Sequence, residues 1–189
     1  MSTALIFWGA ILLLLIYGVF IYNNLVRIKH NVSMAWSNID VLLKQRHDEL
    51  PKLIETCRQF KQFEQETLQR VIEARGRVQA AGQSQDIPAL GQAETALRFG
   101  LGQIFAVVEA YPELRSSEHF SHLITRITGL EDAIADRRET YNHSVNINNV
   151  RIEEFPENIL ARLFVFPPRP LLTFRDPDKQ DVDVKALFA

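Results

Sequence analysis

The spacing of apolar and polar residues changes character twice along the chain. From Ala4 to Tyr22 the run ALIFWGAILLLLIYGVFIY contains no charged residue. As a helix rising ~1.5 Å per residue it is about 28 Å long, close to the ~30 Å hydrocarbon thickness of a bilayer. A cleaved signal peptide would need a basic n-region, a shorter apolar run and a small-residue cleavage site. Here MST carries no basic residue, and the run leaves through the bulky Tyr17, Phe20 and Tyr22. Residues 4–22 are therefore read as a retained transmembrane helix. Arg27 and Lys29 follow the run directly and no basic residue precedes it. That asymmetry predicts a short extracytoplasmic N-terminus at residues 1–3, with the bulk of the chain on the cytoplasmic side.

Beyond the anchor, apolar residues recur three or four apart: Leu25, Ile28, Val32, Trp36, Ile39, Leu43, Leu50, Leu53, Cys57 and Phe60. This is the stripe of an amphipathic helix. Neither glycine nor proline intervenes between Val19 and Pro51, so the anchor is expected to run straight into it, with a kink at Pro51. A second stripe (Leu68, Val71, Ala74, Val78) is expected to stop near Gly82, and Asp86 before Pro88 is the expected start of a third helix. That helix carries Leu90, Ala93, Leu97, Leu101, Ile104 and Val108 and ends before Pro112, with Ser116 or Ser117 capping the last long helix. The last stripe runs from Phe120 through Ile127, Ile134, Tyr141 and Val145 to Ile152, and Pro156 closes it.

No strand pattern precedes Pro156. Striped helices with short connections bury their stripes against one another. The expected fold is all-α: one N-terminal transmembrane helix, then an antiparallel four-helix bundle over residues 24–155 with a long, Pro-kinked first helix. Residues 156–189 form a tail of another kind. FPENILARLFVFPPRPLLTF, residues 155–174, is dense in phenylalanine and proline, and Pro167, Pro168 and Pro170 forbid regular helix there. It reads as an extended strap lying over the bundle, or as a partner-docking or membrane-surface segment. The charged end from Arg175 is expected to be flexible.

Composition narrows the function. A net charge of −2 and a pI near 6.2 supply no polybasic footprint for nucleic acid. One cysteine, Cys57, excludes an internal disulfide framework and multi-cysteine zinc sites. The sequence contains no GxxxxGK[ST], GxGxxG or HExxH motif, and no cofactor is expected.

The tempting run His47-Asp48-Glu49 fails on helical geometry, because consecutive side chains diverge by about 100°. Asp40, Lys44, Asp48 and Lys52 read instead as a solvated i,i+4 charge ladder. Arg46 differs, falling between Leu43 and Leu50 on the apolar stripe. A buried guanidinium needs carboxylates, and Glu64, Glu109 and Glu131 on other helices are the candidates. Cys57 reads as a small core residue. His119 and His122 have helical ligand spacing but no accompanying E-x-x-H. Arg138, Tyr141, Asn142 and Asn148 sit on or beside the last apolar face, as a buried polar network or the wall of a small binding crevice.

With these segments placed, NNLVRIKHNVSMAWSNIDVLLKQRHDELPKL, VIEAR, EAYPEL and YNHSVN…FPEN together resemble the LemA family of bacterial membrane proteins. The likeness runs from the anchor to about Phe166 and weakens after FVF. It implies a membrane-carried four-helix bundle, mostly cytoplasmic, whose first helix continues past Pro51. The family brings no established catalytic residues. Trp36, Arg46, Glu109, Tyr111, Tyr141 and Asn142 fall on matching positions; with Glu131 and the tail residues Phe164 and Phe166 they are the candidate structural and interaction residues. Family members are often encoded beside membrane zinc metallopeptidases. The resemblance therefore implies a non-enzymatic scaffold or adaptor in the bacterial inner membrane, working with a membrane metallopeptidase or another membrane-associated protein. The apolar tail motivates the further expectation of a partner surface and of self-association. The alternative expectation is a sensor that holds a small ligand in a polar crevice near Arg46 and Tyr141.

Overall fold

An uninterrupted helical stripe yields an uninterrupted helix. The structure, a computed structural model, describes residues 2–61 and 63–174. Among them every regular element is helical and none is a strand. Helix α1 (Ser2–Arg58) spans 57 residues and contains Pro51. It is followed by α2 (Gln65–Ser84), α3 (Ile87–Ala110), the single turn α4 (Pro112–Arg115), α5 (Glu118–Glu153) and the short α6 (Glu157–Leu163). Along residues 4–20 of α1 nearly every side chain is exposed, and this is the one helix among the described residues long and apolar enough to cross a membrane.

Local chemistry sets the helix ends. Asp86 caps α3 as expected, its Oδ1 accepting the Ala89 N–H at 3.0 Å with a proline in the first turn. The end of α2 differs from expectation. Gly82 is still helical; the left-handed residue is Gln85, at φ 54°. There the Asp86 N–H reaches Ala81 O (3.0 Å) and the Gln85 N–H reaches Gly82 O (3.2 Å), the paired bonds of a Schellman ending. The stop is fixed by where those two bonds close, not by the nearest glycine. The tail also differs: residues 157–163 are helical, and residues 166–174 carry no regular structure. Pro156 sits before the first turn of α6, where its missing N–H costs nothing. The helix closes as α2 does, with Phe166 N–H on Ala161 O (2.9 Å) and Val165 N–H on Arg162 O (3.4 Å), leaving Val165 left-handed at φ 54°. The end from Arg175, expected to be flexible, lies outside the described residues.

The chain divides into two compact units. One comprises residues 2–39 and 136–171. Its core contains Ile21, Leu25 and Ala161, with Ile152, Leu160 and Phe166 packed against them. The other comprises residues 40–135 and 172–174. It buries the expected stripes: Leu43, Leu50, Leu53 and Cys57 from α1; Leu68, Val71 and Val78 from α2; Leu90, Leu97 and Leu101 from α3; Phe120 and Ile127 from α5. Two glycines of α3 permit close approach. A Cβ on Gly100 would sit 2.6 Å from a Val71 methyl, and one on Gly91 only 2.3 Å from the Thr173 carbonyl oxygen.

Candidate functional site

Within the second unit, charged side chains that fall on apolar stripes meet in the interior. Arg46 is 1% exposed, and its guanidinium forks between Glu94 of α3 and Glu131 of α5 through short charge-assisted bonds. Arg98 of α3 closes the group, its Nε 3.1 Å from the other Glu131 carboxylate oxygen and its Nη2 donating to the Glu131 carbonyl at 3.5 Å. The guanidinium of Arg98 also lies over the Phe174 ring, 4.9 Å from its centroid. Burial works against the charge on Arg46, but the two carboxylates more than offset it and hold the guanidinium ionised. The four formal charges sum to zero. Each guanidinium and carboxylate makes at least one ion pair within the group, which ties α1, α3 and α5 together, and Glu94 Oε2 is left buried without a hydrogen-bond partner.

The His47-Asp48-Glu49 run splits three ways, as helical angles require. Asp48 is exposed. Buried Glu49 pairs with Lys52 (3.0 Å) and with Arg126 of α5 (2.9 Å). The hydrogen bond from Lys52, aided by the charge of Arg126, holds its carboxyl below the usual range. The charge ladder is thus half realised: Lys44 pairs with Asp40 at 2.6 Å, but Lys52 turns to Glu49. His47 faces α2, where the Arg75 Nη2 approaches its Nε2 at 2.6 Å and the Arg75 Nε donates to its carbonyl at 3.0 Å. That carbonyl is the one residue 51 should satisfy, four positions on, and a proline cannot. Arg75 supplies the donor that Pro51 lacks. Burial and then the charge of Arg75 lower the His47 pKa, keeping the ring neutral and able to accept.

A different polar set serves the first unit. The segment PPRP (Pro167–Pro170) has one backbone N–H, that of Arg169, and Asn149 Oδ1 accepts it at 2.9 Å. The amide of Asn149 donates to Arg169 O (2.9 Å), Asn148 to Pro167 O (3.5 Å) and the Tyr141 hydroxyl to Pro170 O (3.2 Å). Trp36 meets Tyr141 edge-on with ring centroids 5.9 Å apart. The network expected at Tyr141 and Asn148 is therefore a clasp on the strap.

The remaining candidates scatter. Glu109 and Glu64 are exposed and bond no part of the buried cluster, so of the partners expected for Arg46 only Glu131 is one. Tyr111 joins α3 to α4 and is 40% exposed. Asn142 is half-buried. Phe164 and Phe166 pack on Tyr22, with centroids 4.8 and 6.0 Å away. His119 and His122 are exposed, and no group of three potential metal ligands occurs among the described residues. Sequence reasoning missed Glu94 and Arg75, yet the signal was present. Glu94 stands four after Leu90 and three before Leu97; Arg75 stands four after Val71 and three before Val78. Each is, like Arg46, a charge on an apolar stripe.

Comparison with known proteins places this architecture. The chain is 26% identical over 163 residues to the magnetosome protein MamQ 2 of Paramagnetospirillum magneticum, covering 74% of this chain and 60% of that protein. It is 38% identical over 66 residues to the magnetosome protein MamQ of Magnetospirillum gryphiswaldense, covering 35% of this chain and 24% of the relative. With Protein LemA of Metamycoplasma hominis it shares 25% identity over 188 residues, 96% of this chain and 84% of the relative. The chain thus spans about 60% of the length of the first of these relatives. The model of the LemA family matches residues 35–186, starting beyond the apolar run and continuing through the tail rather than thinning after Phe166. The chain belongs to the LemA family.

Proposed function

We propose that this protein is a non-enzymatic, membrane-anchored scaffold or adaptor. Residues 4–22 span the bacterial inner membrane, and the bulk of the chain forms a four-helix bundle on the cytoplasmic face. The observation that carries this reading is α1: one helix holds both an exposed apolar run of bilayer length and, from Leu25 on, buried core positions. Arg27 and Lys29 just after the run favour the cytoplasmic orientation. The interior offers support of another kind, since the charges around Arg46 are spent on one another and the Tyr141 hydroxyl on Pro170. These contacts lend the small-ligand sensor no support. The family and the relatives carry names that denote no enzyme activity.

An adaptor of this kind binds copies of itself or a membrane-associated protein, such as a membrane metallopeptidase. Crosslinking in intact membranes, followed by mild-detergent purification and mass spectrometry, tests the reading. Discrete oligomers or one recurrent membrane partner are expected. Monomers with only random neighbours overturn it.

A further inference from the structure

Helix α6 and the turn after it combine three features, of which core packing explains only the first. The helix has an inner face: Leu160 and Ala161 pack with Ile21 and Leu25 of α1, and Phe164 and Phe166 stack on Tyr22. Those α1 residues are the last of the apolar run and the first turn beyond it, so α6 lies at the level where the run ends. The opposite face is apolar and uncovered. Phe155 and Val165 are each 79% exposed, Leu163 70% and Ile159 57%. Ile159 and Leu163 are four apart and share that face.

The third feature is Val165. A β-branched side chain in the left-handed region is strained, and glycine would serve the Schellman ending better. Its side chain points outward and adds almost nothing to packing within the chain. The strain is therefore coupled to an outward-facing apolar group. Exposed apolar surface continuous with a bilayer-length apolar run has one simple occupant. A short helix with an apolar outer face and an exposed cation, Arg162, is also the pattern of a segment lying in the headgroup–acyl boundary.

We infer that α6 and the Phe164–Val165–Phe166 turn form a second membrane contact, an interfacial foot whose Phe155, Ile159, Leu163 and Val165 enter the leaflet beside the exit of α1. The foot rests on the transmembrane reading of residues 4–22. It would fix the tilt and rotation of α1 in the bilayer, which a single span alone leaves free.

The test uses the full chain in vesicles of phosphatidylethanolamine and phosphatidylglycerol. A single cysteine carrying an environment-sensitive fluorophore is placed at each of four positions: Leu13→Cys, Phe155→Cys, Val165→Cys and Gln69→Cys. Native Cys57 is buried and does not compete for label. Labels at 155 and 165 are expected to shift to the blue and to be quenched more by lipids brominated near the headgroup than by lipids brominated near the chain ends. The label at 13 should show the reverse preference, and the label at 69 no quenching. Position 155 guards against disturbance of the turn by substitution at 165. If 13 is quenched while 155 and 165 emit as 69 does, the foot is overturned and the anchor stands. A blue shift at 155 and 165 without bromine quenching means a protein covers the face, and also overturns it. Lack of quenching at 13 removes the anchor and the foot with it.

Discussion

The bond between Arg75 and the His47 carbonyl makes a prediction about coupling rather than about one residue. In the native chain, Arg75→Ala removes a charged donor from a carbonyl that Pro51 cannot serve, and from the His47 ring. Losing hydrogen bonds from a charged group costs ~1.5–3 kcal/mol. In a Pro51→Ala background, residue 51 regains an N–H and can donate to His47 O itself, closing the ordinary helical bond. Arg75→Ala then sacrifices only the ring contact. The two substitutions should be non-additive by ~1 kcal/mol, with Arg75→Ala milder in the Pro51→Ala background. Pro51→Ala alone should stabilise by less than the ~3 kcal/mol that an interior helical proline usually costs, because Arg75 already repairs part of the loss. Urea unfolding of the four detergent-solubilised proteins, followed by far-ultraviolet circular dichroism, closes the double-mutant cycle. Additivity within ~0.5 kcal/mol refutes the compensation.

Other outcomes follow from the same geometry. Arg46→Met should lower unfolding stability by ~3–5 kcal/mol, since it strands Glu94 in the interior, and adding Glu94→Leu should restore much of the loss in the same unfolding assay. The His47 pKa is depressed in the folded chain, so the unfolded chain binds its proton first. Stability should be full above the ordinary value of 6.5 and fall as pH drops below it, and Arg75→Ala should shift this dependence in unfolding midpoints measured from pH 8 to 5. Glu49 adds a second, more acidic loss as pH falls below 4.5. Burial pushes the Cys57 thiol up to about 12, so a maleimide should label it only in denaturant. Gln85→Gly should raise stability by ~1 kcal/mol by removing a left-handed side chain, read as a higher urea midpoint.

How much of this was legible depended on whether period alone determined the feature. The stripes of α1, α2, α3 and α5 report a face, and the face buried is the face predicted, from Leu25 to Cys57 and from Phe120 to Val145. Asp86 was readable because a cap acts through its own side chain. The partners of Arg46 were less so, since a stripe says that a charge points inward but not which carboxylate on another helix it meets. Glu131 was among the candidates; the α3 stripe marks Glu94 as facing inward, but only three-dimensional packing pairs it with Arg46. The helix α6 was hidden for another reason: seven residues are too few to show a period, and the surrounding prolines argue for extended chain. The stops at Gln85 and Val165 were invisible because the local main-chain bonds that end each helix close on residues other than the glycine that usually marks such an ending.

The clasp on PPRP has a consequence that lies in the unfolded chain. Asn148, Asn149 and Tyr141 hold only main-chain atoms, so the proline rings make none of these bonds. Their contribution is to narrow the conformations open to the segment before it docks, so that little disorder is lost on docking. Alanine at 167, 168 and 170 would keep every acceptor and still loosen the strap. The strap is held by stiffness as much as by bonds, and that part of its stability is written in a state no folded structure displays.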